Sequence, residues 1–142
     1  MKNTVISIVD KVILFLGRTF TGHNHDYAML KEELPPGQGW FDELKVLADL
    51  GYLGIEKDYT GGQIAVPTRK PAKSKKNPHP QLTAEQKAAN RAISQVRIFV
   101  ENAIGGIKRY NILVHRFRNH IEDFDDTVIG ICAGLWNFSL SY

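Results

Sequence analysis

Thr83, followed three residues later by Gln86, opens the stretch "LTAEQKAANRAISQVRIFVENAIGGIKR" at residues 82–109. A Thr hydroxyl that accepts from the backbone three residues on, with a Gln that reaches back, satisfies two donors a helix start leaves orphaned. The spacing therefore predicts a long helix from this point to about Ile104 or beyond, with Gly105-Gly106 as its bend or end. At 100° per residue, Asn90, Ser94, Arg97, Glu101 and Lys108 fall within about 60° of one another. Ala92, Val96, Phe99, Ala103 and Ile107 populate the rest, enough to bury the other side. One acid, Glu101, thus stands inside a polar, cationic stripe suited to an anion. An Arg97–Glu101 helical ion pair accounts for it at a few tenths of a kcal/mol. A metal ligand at a phosphodiester accounts for it as well, and the helical wheel does not choose between them.

The charge around this helix is uneven. Between Arg69 and Arg118 twelve Lys and Arg stand against Glu85 and Glu101, a balance of +10 that leaves −7 for the rest of a chain whose formal total is +3. Such asymmetry points to a polyanion, with DNA the leading partner, although a basic face can also serve only solubility. The 142 residues suit one domain, 1–142, and 43% hydrophobic with 23% charged residues argues against wholesale disorder. A single cysteine, Cys132, excludes an internal disulfide and a cysteine-rich zinc site. It fits a reducing, cytoplasmic setting, and its apolar run "VIGICAGLW" makes it a packing residue. The start, "MKNTVISIVDKVILFLG", is split by Asp10 and Lys11 into apolar pieces too short for a signal peptide or a membrane span.

Those two pieces, rich in β-branched and aromatic residues, read as adjacent strands joined at Asp10-Lys11, with the turn type open. In "HNHDYAMLKEELP" Asp26 is placed to cap a short helix that stops before Pro35-Pro36. "WFDELKVLADLGYLGI" suggests a helical turn leading into a buried strand, "KVLAD". From Glu56 to Gln81 the chain reads as irregular, and 60–81 as a flexible, Pro- and Lys-rich basic segment inserted in the domain. "YNILVHRF" fits helix or strand, and Asp125-Asp126 open a last apolar helix. Strands first and helices last, with one buried strand between, is an α/β or α+β pattern.

Asp49 falls at the C-terminal end of the "KVLAD" strand, where ligands gather in open α/β sheets. A carboxylate there needs a capping role or a cation partner. His23, His25 and Asp26 invite a zinc reading, but two histidines and one acid lack the further ligands of a closed site. His79, His115 and His120 lie in basic or polar stretches and read as surface or phosphate-facing residues.

Several stretches together carry a family resemblance: "FTGHNHDYAMLKEELP", "VLADLGYLGI", "VPTRKP", "NRAISQVRIFVENAIGGIKR", "HRFRN" and "CAGLWNF". In this order, from about Lys2 to Phe138, they resemble the C-terminal part of a DDE superfamily endonuclease, the transposase type related to the Harbinger group and to short bacterial insertion sequences. The resemblance implies an RNase H-like fold in which three acids hold two Mg2+ or Mn2+ ions. Asp49 matches the second aspartate, in the "D-x-GY" element, and Glu101 the glutamate, in the "R-x-x-VE-x-A-x-G-x-x-K" helix. Such ions activate a water and stabilise the leaving oxygen in phosphodiester displacement. Lys73, Lys75, Lys76, Arg91, Arg97, Lys108 and Arg109 are then the residues expected to hold the DNA backbone. His25 and Asp26 match a "G-x-x-HD" element at a helix start near the active centre.

The family's first aspartate belongs upstream of the region that "MKNTVISIVD" resembles, and Asp10, at a strand junction, reads as a turn residue. The expectation is an N-terminally truncated DDE domain with two of three acids, weak metal binding and slow or absent cleavage. The competing expectation is a non-catalytic DNA-binding or transposase-interacting remnant that keeps the basic segment. A missing strand would leave a neighbour's edge unpaired, so a homo-oligomer is a further partner to expect. No membrane partner is expected.

Overall fold

A computed structural model describes residues 1–142 apart from 116, 117 and 120. In chain order it contains β1 (Val5–Ser7), β2 (Ile13–Leu16), α1 (Asp26–Glu33), β3 (Phe41–Leu47), α2 (Ile55–Asp58), β4 (Gly61–Ala65), α3 (Ala84–Lys108) and α4 (Phe124–Ser139). Single 3-10 turns cover Leu50–Tyr52 and Asn111–Leu113. The mixed α/β character matches the sequence reading. Contacts divide the chain into two compact units, Met1–Asn24 with Ile98–Tyr142, and His25–Arg97. Among the described residues no helix is long and apolar enough to cross a membrane.

In the first unit β1 and β2 pair antiparallel, as their β-branched composition suggests. Ile8 N–H donates to Val12 O at 3.1 Å and Lys11 N–H to Ile8 O at 2.9 Å, which closes a three-residue loop. Lys11 takes the left-handed slot of that loop at φ 67°, a place usually given to glycine. Below the hairpin, Ile13, Ala103, Ile107, Val128, Cys132, Ala133 and Trp136 form one buried cluster. Cys132 is therefore a core residue, as its apolar surroundings imply. Asn137 seals the strand to α4: Ile13 N–H donates to its Oδ1, and its Nδ2 donates to Ile13 O, both at 2.9 Å.

Helix α3 begins with the reciprocal cap its sequence announces. Thr83 N–H donates to Gln86 Oε1 at 3.0 Å, and Gln86 N–H to Thr83 Oγ1 at 3.2 Å. Gly105-Gly106 does not end the helix, since α3 continues to Lys108. Gly106 instead lies directly against the indole of Trp136, where a Cβ would overlap the ring. Its role is close helix approach. Ala92, expected on the buried side, is exposed, and burial on α3 concentrates at Ala103, Gly106 and Ile107.

The second unit is built on β3 and β4, which pair in parallel, with Lys45, Val46 and Leu47 opposite Gln63, Ile64 and Ala65. Two sequence readings are corrected here. The stretch from Trp40 is strand from Phe41 onward, not a helical turn, and only Phe41 of β3 is buried. Glu56–Gln81, read as irregular, holds α2 and β4. Gly61 and Gly62 let β4 pass close to β3 at an irregular register. A Cβ on Gly61 would stand 3.1 Å from Phe41 O and one on Gly62 3.3 Å from Leu44 O. Met29, Leu30, Leu34, Phe41, Ile55 and Tyr59 are buried in this unit. The Tyr59 hydroxyl donates to Leu34 O at 2.7 Å and its ring lies 5.4 Å from that of Phe41. Asp26 is the first residue of α1 rather than its cap, a position taken by His25 in extended conformation.

Candidate functional site

Asp49 stands where the sequence placed it, just beyond the C-terminal end of β3. The ladder is extended by Ala48 N–H donating to Ala65 O at 3.0 Å, and the chain then turns out of the sheet. Asp49 caps the 3-10 turn that follows: its Oδ1 accepts from Leu50 N–H at 2.7 Å, and its carbonyl from Tyr52 N–H at 2.9 Å. The same Oδ1 accepts from Arg97 Nη1 at 2.9 Å. Both roles weighed for this carboxylate, turn cap and partner of a cation, are filled together, and the cation is a guanidinium from α3. The side chains of Arg97 and Asp49 are 43% and 51% exposed, so the pair contributes at most about 1 kcal/mol to stability. It fixes position more than it stabilises the fold.

Acids of α1 lie close to the turn after Asp49. Asp26 Oδ2 lies against Gly51, where a Cβ would come within 2.7 Å of it, so the glycine of "DLGY" makes room for the acid of "HNHD". Burial pushes the Tyr52 hydroxyl up to about 12, with smaller contributions from the carboxylates of Asp26, Glu33 and Asp49. Both oxygens of Glu33 are buried without a hydrogen-bond partner among the described residues. Glu101 is exposed on α3, one helical turn beyond Arg97.

Hard carboxylate oxygens are the donors that Mg2+ or Mn2+ takes. In kind, Asp49 and Glu101 suit such an ion. In number the fit fails: among the described residues no group of three or more His, Cys, Asp or Glu is placed to hold a metal, and Asp49 Oδ1 is engaged by Arg97 and Leu50. The same finding covers His23, His25 and Asp26.

The basic residues lie mostly on open surface. Lys73, Lys75 and Lys76 are exposed beyond β4, and Arg91 is exposed on α3. Ser74 and Asn77 exchange two backbone hydrogen bonds at 3.1 Å, so Lys75 and Lys76 occupy the tip of a tight turn. Upstream, Thr68 N–H donates to Asn90 Oδ1 at 2.8 Å and Asn90 Nδ2 donates to Thr68 O at 2.9 Å. Lys108 and Arg109 are exposed at the end of α3, and the Arg109 guanidinium stacks 5.7 Å from the Trp136 ring. His79 and His115 are exposed. His120 and Arg116 lie outside the described residues. Sequence reasoning missed the Asn90–Thr68 pairing; its one local signal is an Asn in a helix interior, a residue that favours bonding to nearby backbone.

Comparison with known proteins decides the family. The model for the DDE superfamily endonucleases matches residues 1–137. The chain belongs to this family. Over 120 residues it is 35% identical to a probable transposase for insertion sequence element IS702 from Microchaete diplosiphon, covering 84% of this chain and 39% of that protein. The chain thus spans about two fifths of the length of the curated relative it matches. No solved structure matches it. The resemblance carried by "ADLGY" and the α3 helix is accordingly to the family that the whole-chain comparison identifies, a DDE-type transposase.

Proposed function

We propose that this DDE-family chain is part of a transposase catalytic domain, RNase H-like in arrangement, that acts on phosphodiester bonds of DNA. The observation that carries the reading is the family match across residues 1–137, in which the "D-x-GY" aspartate, Asp49, stands at the open end of a parallel strand. On the family pattern Asp49 and Glu101 supply carboxylates for Mg2+ or Mn2+, ions that would activate the attacking water and stabilise the leaving oxygen. Among the described residues these donors do not assemble a metal site. What the residues themselves do is narrower. Arg97 and the Leu50 amide hold Asp49 Oδ1 in place, and Lys73, Lys75, Lys76, Arg91, Lys108 and Arg109 offer charge to a phosphate backbone. The chain alone is expected to nick DNA slowly or not at all.

The test is nicking of supercoiled plasmid by the purified chain in Mn2+, beside Glu101→Ala and Asp49→Ala. Nicking by the parent and by neither variant supports carboxylate-dependent catalysis. No nicking, with salt-dependent DNA binding kept in all three, supports a domain that retains DNA binding without cleavage. Nicking undiminished in both variants rules out the assigned carboxylates.

A further inference from the structure

The two parallel strands of the second unit send their chain ends to the same helix. Beyond β3, Asp49 is held by Arg97; beyond β4, Thr68 is held by Asn90. Asn90 and Arg97 are seven residues apart on α3, two turns along one face, roughly 10 Å along the axis. Asn90 meets both polar groups of one backbone residue, as a neighbouring strand would, and it does so at the last residue before the basic run begins at Arg69. From there the chain passes to the Ser74–Asn77 turn with Lys75 and Lys76 at its tip. The residue next to the anchor on α3, Arg91, is itself exposed.

We propose that Asn90 is a positioning residue for nucleic-acid binding: by clamping Thr68 to α3 it seats the Arg69–Lys76 segment so that its lysines and Arg91 form one phosphate-binding surface. The inference rests on the DNA reading above and adds to it the group that organises the surface. A basic segment tethered only at distant points loses conformational freedom when it binds, and that loss weakens association. A two-point clamp at the segment's root removes part of the cost beforehand. Charge alone does not report this role, because Asn90 carries none.

The experiment compares the full chain with Asn90→Ala by three readouts: binding of a short fluorescent DNA duplex across a salt series, thermal melting, and hydrogen exchange of the Thr68 amide. Alanine is the better helix former, so α3 itself is not weakened by the change. The expected result is faster exchange at Thr68, a melting temperature lowered by no more than a few degrees, and duplex binding about five- to tenfold weaker, the effect of losing two neutral hydrogen bonds. The slope of log K against log salt stays the same, because no phosphate-neutralising charge is removed. Faster exchange with binding equal to the parent overturns the proposal and leaves the DNA reading standing. Unchanged exchange overturns it too, by showing that Asn90 does not hold Thr68. A parent chain that fails to bind duplex DNA overturns the DNA reading, and the proposal with it.

Discussion

Tyr52 reports the local field at the open end of β3. Its hydroxyl is pushed from 10.0 to about 12, first by burial and then by Asp26, Glu33 and Asp49. A group whose pKa is raised on folding keeps its stabilising contribution below the unfolded value and loses it as pH rises through the folded one. Stability should therefore fall between about pH 10 and about pH 12, where the unfolded chain gives up this proton and the folded chain still holds it. Tyr52→Phe removes that ionisation. Urea unfolding at about pH 9 and about pH 12 should show a smaller loss in the variant than in the parent. An equal loss in both would mean that Tyr52 is not the residue whose burial sets the alkaline limit. Tyr27 titrates high as well, through burial and then its hydrogen bond to Asp58, so the variant should flatten the fall without abolishing it. Asp58 shows the opposite sign. Its hydrogen bonds from Tyr27 and Lys31 hold its carboxyl below the usual range, so that contribution is lost as pH falls through the folded value.

At the scale of elements, Gly106 carries the packing of α3 on α4. Its Cα faces the six-membered ring of Trp136, whose Nε1 donates to Lys11 O at 2.9 Å and so is tied to the β1–β2 loop. Gly106→Ala would gain helix propensity, yet the added carbon overlaps a ring that is pinned at its other side. The overlap should win, with a net destabilisation of about 1–3 kcal/mol in chemical denaturation. A variant as stable as the parent would show that the indole moves aside without cost. This glycine also marks where sequence reading stops. The capping box at Thr83 was legible because all its partners lie within four residues, and the β1–β2 pairing because its turn is short and its strands β-branched. Asp49 was legible in position, at a strand end, but its partner Arg97 lies 48 residues away. Asn90 and Thr68 are 22 residues apart and carry no charge pattern to connect them. Parallel pairing hid β4 in the same way: Gly61-Gly62 signals a break locally, and only the approach of the β3 backbone gives those glycines a purpose. These three misses were long-range contacts that local propensity does not encode.

Across the whole molecule, the modest total of +3 conceals a basic stretch whose exposed part lies beyond β4 and along α3. If that placement matters, removing charge there should differ from removing the same charge elsewhere. Lys75 and Lys76, at the tip of the Ser74–Asn77 turn, are the most directly presented pair. Lys45 on β3 and Lys57 on α2 are also exposed and lie outside the basic stretch. Each phosphate neutralised on B-DNA contributes about 0.9 to the slope of log K against log salt. Lys75→Ala with Lys76→Ala should therefore lower that slope by nearly 2 and weaken duplex binding most at low salt. Lys45→Ala with Lys57→Ala removes an identical formal charge and should leave the slope unchanged. Salt titration of the parent and both double variants separates two physical origins of affinity. Equal losses would mean a diffuse attraction set by net charge, which decays over a Debye length and needs no particular lysine. A loss confined to the turn pair would mean discrete contacts, made by lysines on the stretch of chain that leaves α3 at the Thr68–Asn90 hydrogen bond.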